Sequence, residues 1–516
     1  METLRSHVHG AWHAATDGFV PLHDPSTEAE IARASSVGID FGAALDHARE
    51  GGGRALRAMT FAERGEMLIG LSKAIHAHRD ELLELSMRDS GVTRKDAKFD
   101  IDGATGTLSY YGYLGRELGD RKILFDGEGL ALGRSAKFWG RHASVPRQGV
   151  AVHINAFNFP AWGFAEKAAQ AWLAGMPVVT KPATSTAWVT ARCGEIVVES
   201  GLAPEGAFSM IVGSTGDLLT RLGPQDVLAF TGSADTGNRL RSIPELIERS
   251  VPVNIEADSL NATVLAPSVE EGSETWGLFL RDVAREITQK SGQKCTAVRR
   301  IFVPRDRIAE VREALIEQLE GAVVGSPFAE GVTLGALATA SQLDDAVEGC
   351  AAIAAVARRV HGTGERGDGG GAEPGRGWFF GPTLFEAEDF RDVPIVHERE
   401  VFAPVSTLLP YDGSAAEAMA GVALGGGTLV TALYNDEDAW FQAALESGGC
   451  WSGRFYLGSE KMVEQALGSG LALPQSLHGG PGRAGGGAEL GGERGLSLYM
   501  QRIALQGYRK VVDELQ

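Results

Sequence analysis

Two residues, Cys295 and Glu256, have the types and the settings that covalent catalysis at a carbonyl carbon requires. Cys295 stands in the polar segment SGQKCT, directly before an apolar strand. A cysteine acts as a nucleophile when it is accessible and forms a thiolate. Glu256 ends the apolar strand VPVNI, where burial would raise the pKa of the carboxyl group and suit it to a general base. Each residue has a simpler interpretation: a lone cysteine is usually a buried filler, and an acid after a strand often caps a turn.

Polar residues also follow two other predicted strands. Lys181 comes directly after the strand in MPVVTKP, where a lysine can bond a ribose or a phosphate. Gly232 and Ser233 lie between the strand VLAF and a helix that opens near Ala234. A helix N terminus presents free N–H groups to a phosphate, and glycine lets the backbone approach it closely. In isolation, a surface lysine and an ordinary strand–turn–helix explain both patterns.

Three further glycine-rich or acidic patterns have weaker chemical meaning. The segment HEREVFAP carries Glu398 and Glu400 beside Phe402, which alone is typical of an edge strand with solvated charges. Residues 362–367 and 480–485 match GxGxxG, but neither has the preceding strand and following helix of a dinucleotide site, so both are predicted to be loops. The chain has no P-loop, no HExxH pair and no CxxC pair, so no metal site is expected.

The elements that must position these residues alternate between strand and helix. Residues 41–89 are predicted to be helical, with an interruption only at the three glycines 51–53. From residue 145 onwards, short apolar strands alternate with helices, which indicates a doubly wound parallel sheet that binds ligands beyond the carboxyl ends of its strands. A second α/β unit begins near residue 256, and 362–381 is predicted to be a long surface loop.

The composition excludes several classes of protein. The net charge of −19 disfavours nucleic-acid binding. The four cysteines are far apart, which argues against a disulfide scaffold. No run of 18 apolar residues predicts a membrane span, and the N-terminal residues have no apolar core of a signal peptide. We therefore expect a cytoplasmic protein without a membrane partner.

Seven segments in register resemble the aldehyde dehydrogenase superfamily over almost the whole chain. The resemblance implies an α/β fold with a Rossmann-like cofactor domain, an α/β catalytic domain and a small β oligomerisation domain. The expected cofactor domain covers 1–124 and 148–255, the catalytic domain covers 256–475, and a hairpin (125–147) joins a C-terminal tail (476–516) in a homodimer or larger homo-oligomer. The matching segments are AFNFP (156–160), TKPA (180–183), FTGS (230–233), Glu256, GQKC (292–295), EVFAP (400–404) and AELGG (488–492).

The resemblance also implies a reaction. Cys295 would attack the aldehyde carbon, and the Asn158 side-chain amide with the Cys295 backbone N–H would stabilise the thiohemiacetal oxyanion. Hydride then moves to a nicotinamide and leaves a thioester. Glu256 would activate the water that hydrolyses this thioester, and it is also a candidate acceptor of the thiol proton. Glu489 matches a family glutamate that relays protons behind Glu256.

The cofactor residues follow from the same segments. By resemblance, Lys181 bonds the adenosine ribose, Gly232 and Ser233 meet the pyrophosphate, Glu400 bonds the nicotinamide ribose, and Phe402 packs beside that ring. NAD-preferring members often have a glutamate three residues after the lysine, which would repel a 2′-phosphate. Here that position is Thr184, so NADP is predicted, with NAD as a possible second cofactor.

Departures from the common motifs point to one branch of the superfamily. These departures are IEADSLNA (255–262), Ala403 in place of a glycine, and the tail LHGGPGRAGGGAELGG. They are similar to the branch that oxidises CoA-linked semialdehydes from aerobic aromatic degradation. Within it, a chain that stops shortly after AELGG, without a hydratase domain, favours 3,4-dehydroadipyl-CoA semialdehyde over the ring-opened oxepin-CoA semialdehyde of phenylacetate degradation.

Three other activities remain open at this point. A general aliphatic aldehyde dehydrogenase would share all these motifs. A CoA-acylating dehydrogenase generally lacks the glutamate base, so Glu256 argues against it. A non-catalytic binding protein on the same scaffold would have no need for Cys295 and Glu256, and both are present.

Overall fold

The computed structural model describes residues 1–515, and two seven-stranded sheets form its centre. The strands are β1 (Glu2–Thr3), β2 (Ser6–Val8), β3 (Ala11–His13), β4 (Val20–His23), β5 (Glu30–Ala34), β6 (Leu124–Ala131), β7 (Phe138–Pro146), β8 (Ala151–Ile154), β9 (Val178–Lys181), β10 (Phe208–Met210), β11 (Val227–Thr231), β12 (Val253–Glu256), β13 (Ala262–Leu265), β14 (Arg300–Pro304), β15 (Arg358–His361), β16 (Thr383–Glu386), β17 (Val405–Tyr411), β18 (Thr428–Tyr434), β19 (Ser452–Gly458), β20 (Leu477–Gly479), β21 (Ala488–Leu490) and β22 (Met500–Tyr508).

Sixteen α-helices cover and connect the sheets in the described part of the chain. They are α1 (Phe41–His47), α2 (Gly53–Ala58), α3 (Phe61–Ala77), α4 (Arg79–Ser90), α5 (Arg94–Leu118), α6 (Trp162–Ala174), α7 (Ala187–Ser200), α8 (Ala234–Arg241), α9 (Pro244–Glu248), α10 (Glu274–Thr288), α11 (Ile308–Glu320), α12 (Ala340–Ala354), α13 (Pro394–Glu398), α14 (Ala415–Ala423), α15 (Asp438–Gly448) and α16 (Arg509–Glu514). Over residues 1–515, no helix combines the length and the apolar character needed to cross a membrane.

The first sheet has the order β12-β11-β8-β9-β10-β2-β3, and its strands from β12 to β10 are parallel. Adjacent strand residues point to opposite faces, so Val178 packs into one core cluster and Val179 into another. Both faces are covered, which explains the continuous apolar runs in the sequence. The predicted doubly wound α/β sheet is confirmed.

The second sheet has the order β15-β16-β17-β14-β13-β18-β19, and all its pairings except β15 with β16 are parallel. The first strand of this sheet along the chain, β13, lies in the sheet interior. It begins at Ala262, close to the predicted start of the second unit. Helix α10 begins after Ser273, whose side chain accepts a hydrogen bond from the Trp276 backbone N–H. The segment between α10 and β14 carries Cys295.

A separate sheet joins the predicted hairpin to the C-terminal tail. Strands β6 and β7 form the hairpin, and β22 pairs with β7 from Met500 to Tyr508 in the same chain. The tail was expected to meet the hairpin across an oligomer. The pairing of β22 needs no second subunit, so the strand does not itself require a dimer.

Two local predictions differ from the structure. The three glycines 51–53 do not interrupt the helix, because a π-helical turn, Ala48–Gly52, carries it into α2. A Cβ atom at Gly52 would lie 2.1 Å from the Gly206 backbone, so this glycine allows close packing. The single helix predicted after Ser233 is two helices, α8 and α9, because Pro244 cannot continue α8.

Candidate active site

Four parallel strands of the first sheet end side by side. In the strand register, Ile154 pairs with Lys181 and Phe230, and Thr231 pairs with Glu256. The carboxyl ends of β8, β9, β11 and β12 therefore form one edge, as the sequence predicted. A cleft of about 660 Å³ opens at this edge. Its lining includes nine of the ten predicted site residues: Asn158, Lys181, Thr184, Gly232, Ser233, Glu256, Cys295, Glu400 and Phe402.

The chain reaches Cys295 through an unusual turn. Lys290, Ser291 and Gly292 have φ angles of 53°, 56° and 69°, which is the left-handed region that only glycine adopts freely. A Cβ atom on Gly292 would lie 2.4 Å from the carbonyl carbon of Ala403. Gly292 is therefore required both by its conformation and by this close approach.

Two buried side chains hold the turn in place. Arg299 donates 2.7 Å and 2.9 Å hydrogen bonds to the carbonyl oxygens of Ala403 and Gly292. Asn261 Nδ2 donates to the carbonyl oxygen of Cys295 at 2.7 Å and to that of Ala297 at 2.9 Å. Neither holding residue was among the site residues predicted from the sequence.

A third residue, His478, joins Cys295 and Glu256. Its Nε2 atom lies 3.8 Å from Cys295 Sγ and 3.2 Å from Glu256 Oε1. His478 and Glu256 are only 5% and 3% exposed, whereas Cys295 is partly exposed. The sequence analysis missed His478. The only signal for this residue was that the segment LHGG departs from the common sequence motif of the family. Cysteine, histidine and glutamate together form a possible proton-transfer set.

Charge within this set changes the pKa values of all three groups. Burial and the Glu256 carboxylate raise the pKa of Cys295 to about 11, against the opposing effect of His478. Burial alone would lower the pKa of His478, but Glu256 and Cys295 outweigh it and raise that pKa well above its usual value. Burial alone would raise the pKa of Glu256, but His478 and Lys167 outweigh it and lower the pKa to about 2. The expectation of a raised pKa for Glu256 is therefore wrong.

Main-chain hydrogen bonds fix Glu256 on both sides. The Gly487 N–H donates to the Ile255 carbonyl at 3.1 Å, and the Ala257 N–H donates to the Ala484 carbonyl at 3.2 Å. The acceptor and donor residues 484–487 belong to the glycine-rich segment that begins at His478. The literal GxGxxG match at 480–485 thus forms a support for Glu256, and it lacks the strand-to-helix setting of a dinucleotide fingerprint.

Asn158 lies close to the nucleophile. Its Nδ2 atom donates a 3.1 Å hydrogen bond to the Gln293 carbonyl oxygen, two residues before Cys295. Asn158 also lines the cleft together with Cys295. The second N–H of Nδ2 is available for an oxygen that develops negative charge near Sγ.

Glu489 lies behind the cleft in a buried charge cluster. Its two carboxylate oxygens accept 3.0 Å hydrogen bonds from Lys167 Nζ and Asn254 Nδ2. Lys167 Nζ also lies 3.3 Å from Glu166 Oε1. Burial raises the pKa of Glu166 to about 7, although Lys167 opposes this. Carboxylate oxygens of Glu489, Glu166 and Glu256 lie within 4.8 Å of one another, so this cluster adjoins Glu256.

Glu400 is buried beside a cation, contrary to the edge-strand interpretation. Its side chain is 9% exposed, its Oε1 atom lies 3.6 Å from Arg299 Nε, and its Oε2 atom accepts from the Ser259 N–H at 3.3 Å. Burial raises the pKa of Glu400 to about 7, against the opposing effect of Arg299. Phe402 packs edge-on against Phe157, with ring centres 5.8 Å apart.

At the other end of the cleft, Lys181 is half-buried and burial lowers its pKa to about 8. Ser233 caps α8 by accepting a 3.4 Å hydrogen bond from the Thr236 N–H. The Gly232 N–H already donates to the Glu256 carbonyl at 3.1 Å, so this amide is not free for a phosphate. The Ala234 N–H donates to Asp258 Oδ1 at 2.9 Å.

The residues present fit a nicotinamide dinucleotide. Glu400 Oε1 is buried without a hydrogen-bond partner, as a ribose hydroxyl donor would require. Lys181 and Thr184 supply donors at the far end of the same cleft, and the cleft reaches Cys295. A dinucleotide bound along it would bring its reactive ring to the nucleophile.

The α/β fold and the cysteine at the cleft define an aldehyde dehydrogenase, and the chain belongs to the aldehyde dehydrogenase family, whose model matches residues 12–464. It is 40% identical over 478 residues to the 3,4-dehydroadipyl-CoA semialdehyde dehydrogenase of Aromatoleum evansii, and the match covers 93% of both chains.

Solved structures show the same fold. Betaine aldehyde dehydrogenase of Staphylococcus aureus in complex with NAD⁺ superposes with a TM-score of 0.82 at 21% identity, covering 98% of this chain and 95% of the other. The NAD⁺ complex of aldehyde dehydrogenase from Bacillus cereus gives a TM-score of 0.82 at 22% identity, covering 98% and 97%. The predicted aldehyde dehydrogenase fold is confirmed.

Proposed function

We propose that the protein oxidises a CoA-linked semialdehyde, 3,4-dehydroadipyl-CoA semialdehyde or a close analogue, to its carboxylic acid with NADP. The observation that carries the substrate class is the 40% identity over 93% of both chains to the Aromatoleum evansii dehydrogenase of that name. A homo-oligomer, at least a dimer, remains the expected assembly.

A second pocket at Cys295, lined by aromatic rings and by the charged side chains of Glu166, Lys167 and Glu256, supports an acyl chain as substrate. Phe99, Phe159 and Trp162 line it together with Cys295 and His478. Their ring centres lie 5.2 to 5.8 Å apart in edge-to-face contacts. Such rings desolvate a hydrocarbon chain and leave polar groups only at its reacting end.

The chemistry begins at Cys295. Its thiolate attacks the aldehyde carbon and forms a C–S bond, and the carbonyl π electrons move to oxygen. Asn158 Nδ2 and the Cys295 backbone N–H stabilise this oxyanion by donating hydrogen bonds. A nicotinamide held in the cleft would supply the acceptor for the hydride that leaves the former aldehyde carbon. The product on the enzyme is then a thioester of Cys295.

Hydrolysis of the thioester completes the reaction. Glu256 takes a proton from water, the water oxygen attacks the thioester carbon, and the C–S bond breaks to release the acid and the thiolate. Glu489, Lys167 and Glu166 carry the proton away from Glu256 through the buried cluster. Glu256 is also the feature that favours water over free CoA as the acyl acceptor.

The absence of a carboxylate at Thr184 supports NADP. Lys181 supplies a cation and Thr184 a neutral hydroxyl at the same end of the cleft. Both groups can donate hydrogen bonds to a 2′-phosphate, and neither carries a negative charge that would repel it. Lys181, Ser233, Glu400 and Phe402 are the proposed cofactor contacts, and Gly232 serves by close backbone approach.

The test is a rate comparison that follows NADPH absorbance. Purified protein is assayed with a CoA-linked semialdehyde and with simple aliphatic aldehydes, each with NADP and with NAD. We expect kcat/KM for the CoA-linked substrate to exceed the others by at least about tenfold, which corresponds to about 1.4 kcal/mol. Equal or better rates on simple aldehydes refute the CoA assignment, and kcat/KM about tenfold higher with NAD refutes the Thr184 argument.

A further inference from the structure

One buried imidazole atom contacts both groups on which the reaction depends. Nε2 of His478 lies within hydrogen-bonding distance of Cys295 Sγ, at 3.8 Å, and makes an ion-pair contact of 3.2 Å with Glu256 Oε1. Strand β20 carries His478, and its antiparallel partner β21 carries Glu489 at the paired position. The ring is 5% exposed, so little water competes for these contacts.

We propose that His478 is a catalytic residue that holds a proton as an imidazolium between the Cys295 thiolate and the Glu256 carboxylate, and so forms the nucleophile. This rests on the proposed function, in which Cys295 attacks the aldehyde. The resemblance to the family names Glu256 as the acceptor of the Cys295 thiol proton. The geometry instead makes His478 the group that controls whether Cys295 loses that proton.

The charges around the imidazole favour this assignment. Glu256 on β12 and Cys295 face it directly, and Glu166 on α6 also feels its charge. Lys167 on the same helix acts on Glu256 and is neutralised by Glu489. Burial and the Glu256 carboxylate raise the pKa of Cys295, and His478 opposes both, so the imidazolium is the group that favours the thiolate. The raised pKa of His478 keeps the ring protonated in this role.

The step balances in protons and electrons. At low pH, Cys295 and His478 together hold a proton on sulfur and one on each ring nitrogen. When one proton leaves to solvent through the cleft, the S–H bond is broken, its electron pair stays on sulfur, and both ring nitrogens keep their protons. The Nε2–H then donates to the thiolate. When the thiolate attacks the aldehyde, the positive ring remains beside Glu256.

Alkylation of Cys295 by iodoacetamide tests the proposal without any aldehyde or cofactor. The rate at Cys295 and at the exposed Cys450 is followed by peptide mass spectrometry from pH 5 to pH 10. The proteins are wild type, His478→Asn, His478→Gln and the control His142→Asn, which changes an exposed histidine of the hairpin. At pH 7 we expect alkylation of Cys295 to be on the order of tenfold slower in both His478 variants, with its midpoint at higher pH. Cys450 should react equally in all four proteins.

Equal rates and midpoints in wild type and in a folded His478 variant overturn the proposal. The midpoint gives a second test. Because His478 opposes burial and Glu256 in setting the pKa of Cys295, the Cys295 midpoint should lie higher in both His478 variants than in wild type, and an equal or lower midpoint in a folded variant refutes the ion pair. In steady-state assays, kcat/KM of the His478 variants should recover as the pH rises, which a merely structural role would not produce. Normal alkylation without semialdehyde oxidation would refute the proposed substrate and leave the role of His478 intact.

Discussion

The side chain of Asn261 donates a 2.7 Å hydrogen bond to the backbone carbonyl oxygen of Cys295. Asn261 is fully buried and belongs to the segment IEADSLNA, which departs from the common family wording. Its Oδ1 atom accepts from Ser259 Oγ at 2.6 Å, which fixes the amide orientation. Cys295 is thus held by the residue that directly precedes β13, the strand that pairs with β14.

Loss of Asn261 should loosen the nucleophile. Asn261→Ala removes the side-chain amide that donates to the carbonyl oxygens of Cys295 and Ala297. Leaving these two buried oxygens without a donor should lower the free energy of unfolding by about 1–3 kcal/mol. We expect a lower thermal midpoint and a lower kcat, measured by calorimetry and by NADPH formation. The control Asn238→Ala changes an exposed asparagine of α8 and should alter neither. An unchanged kcat in Asn261→Ala would contradict the positioning role.

Glu256→Gln should separate the two halves of the reaction. The amide cannot take a proton from water, so the thioester accumulates and kcat falls by about 10²–10⁴-fold. In rapid mixing we expect a burst of about one NADPH per subunit, followed by a slow phase. Glu398→Gln, at an exposed position, is the control. If Glu256→Gln released the acid at the wild-type rate, Glu256 would not be the base for thioester hydrolysis.

Thr184→Glu should weaken NADP binding selectively. The new carboxylate would face the 2′-phosphate in the same part of the cleft as Lys181, and like charges in contact cost several kcal/mol. We expect KM for NADP to rise by at least about tenfold, with little change for NAD. Thr184→Gln introduces a side chain of nearly the same size as glutamate but without the charge, and it serves as the matched control. An equal effect of both substitutions would point to size, so the charge argument would fail.

Glu400 should make stability fall as the pH rises. Burial raises the pKa of Glu400 to about 7, against Arg299, whereas a glutamate in an unfolded chain titrates at about 4.3. Between these values the folded protein holds a proton that the unfolded chain lacks, so the cost of ionising Glu400 grows as the pH rises through this window, to about 4 kcal/mol. Glu400→Gln removes that cost.

Thermal unfolding between pH 5 and pH 8 measures this effect. The midpoint of Glu400→Gln minus that of wild type should increase with pH. The exposed Glu398→Gln should show a constant difference. A difference for Glu400→Gln that is flat with pH would mean that Glu400 is ionised at pH 5 in the folded protein.

The sequence predicted the parts of the fold that depend on local pattern. The strands that end at Lys181, Thr231 and Glu256 were recognisable as apolar runs, and a parallel sheet necessarily brings their ends together. The motif around Cys295 made this residue the candidate nucleophile before its contacts were visible. These features need no knowledge of distant residues.

The features that the sequence did not reveal depend on long-range contacts. His478 lies 183 positions from Cys295, and no spacing rule connects the two. The predicted upward shift of the Glu256 pKa was wrong for the same reason, since the actual downward shift depends on the distant residues His478 and Lys167. The glycines 51–53 suggested a break, but Gly52 lies in the π-helical turn that continues the helix and packs against the distant Gly206 backbone.

The main-chain hydrogen bonds on both sides of Glu256 have an evolutionary consequence. They join residues 255 and 257 to residues 487 and 484, and no side chain takes part in them. The separation of Glu256 from the segment that carries His478 is therefore set by backbone. Side chains around the substrate pocket can be exchanged without altering that separation, so this architecture can acquire new aldehyde specificities while its proton chemistry stays constant.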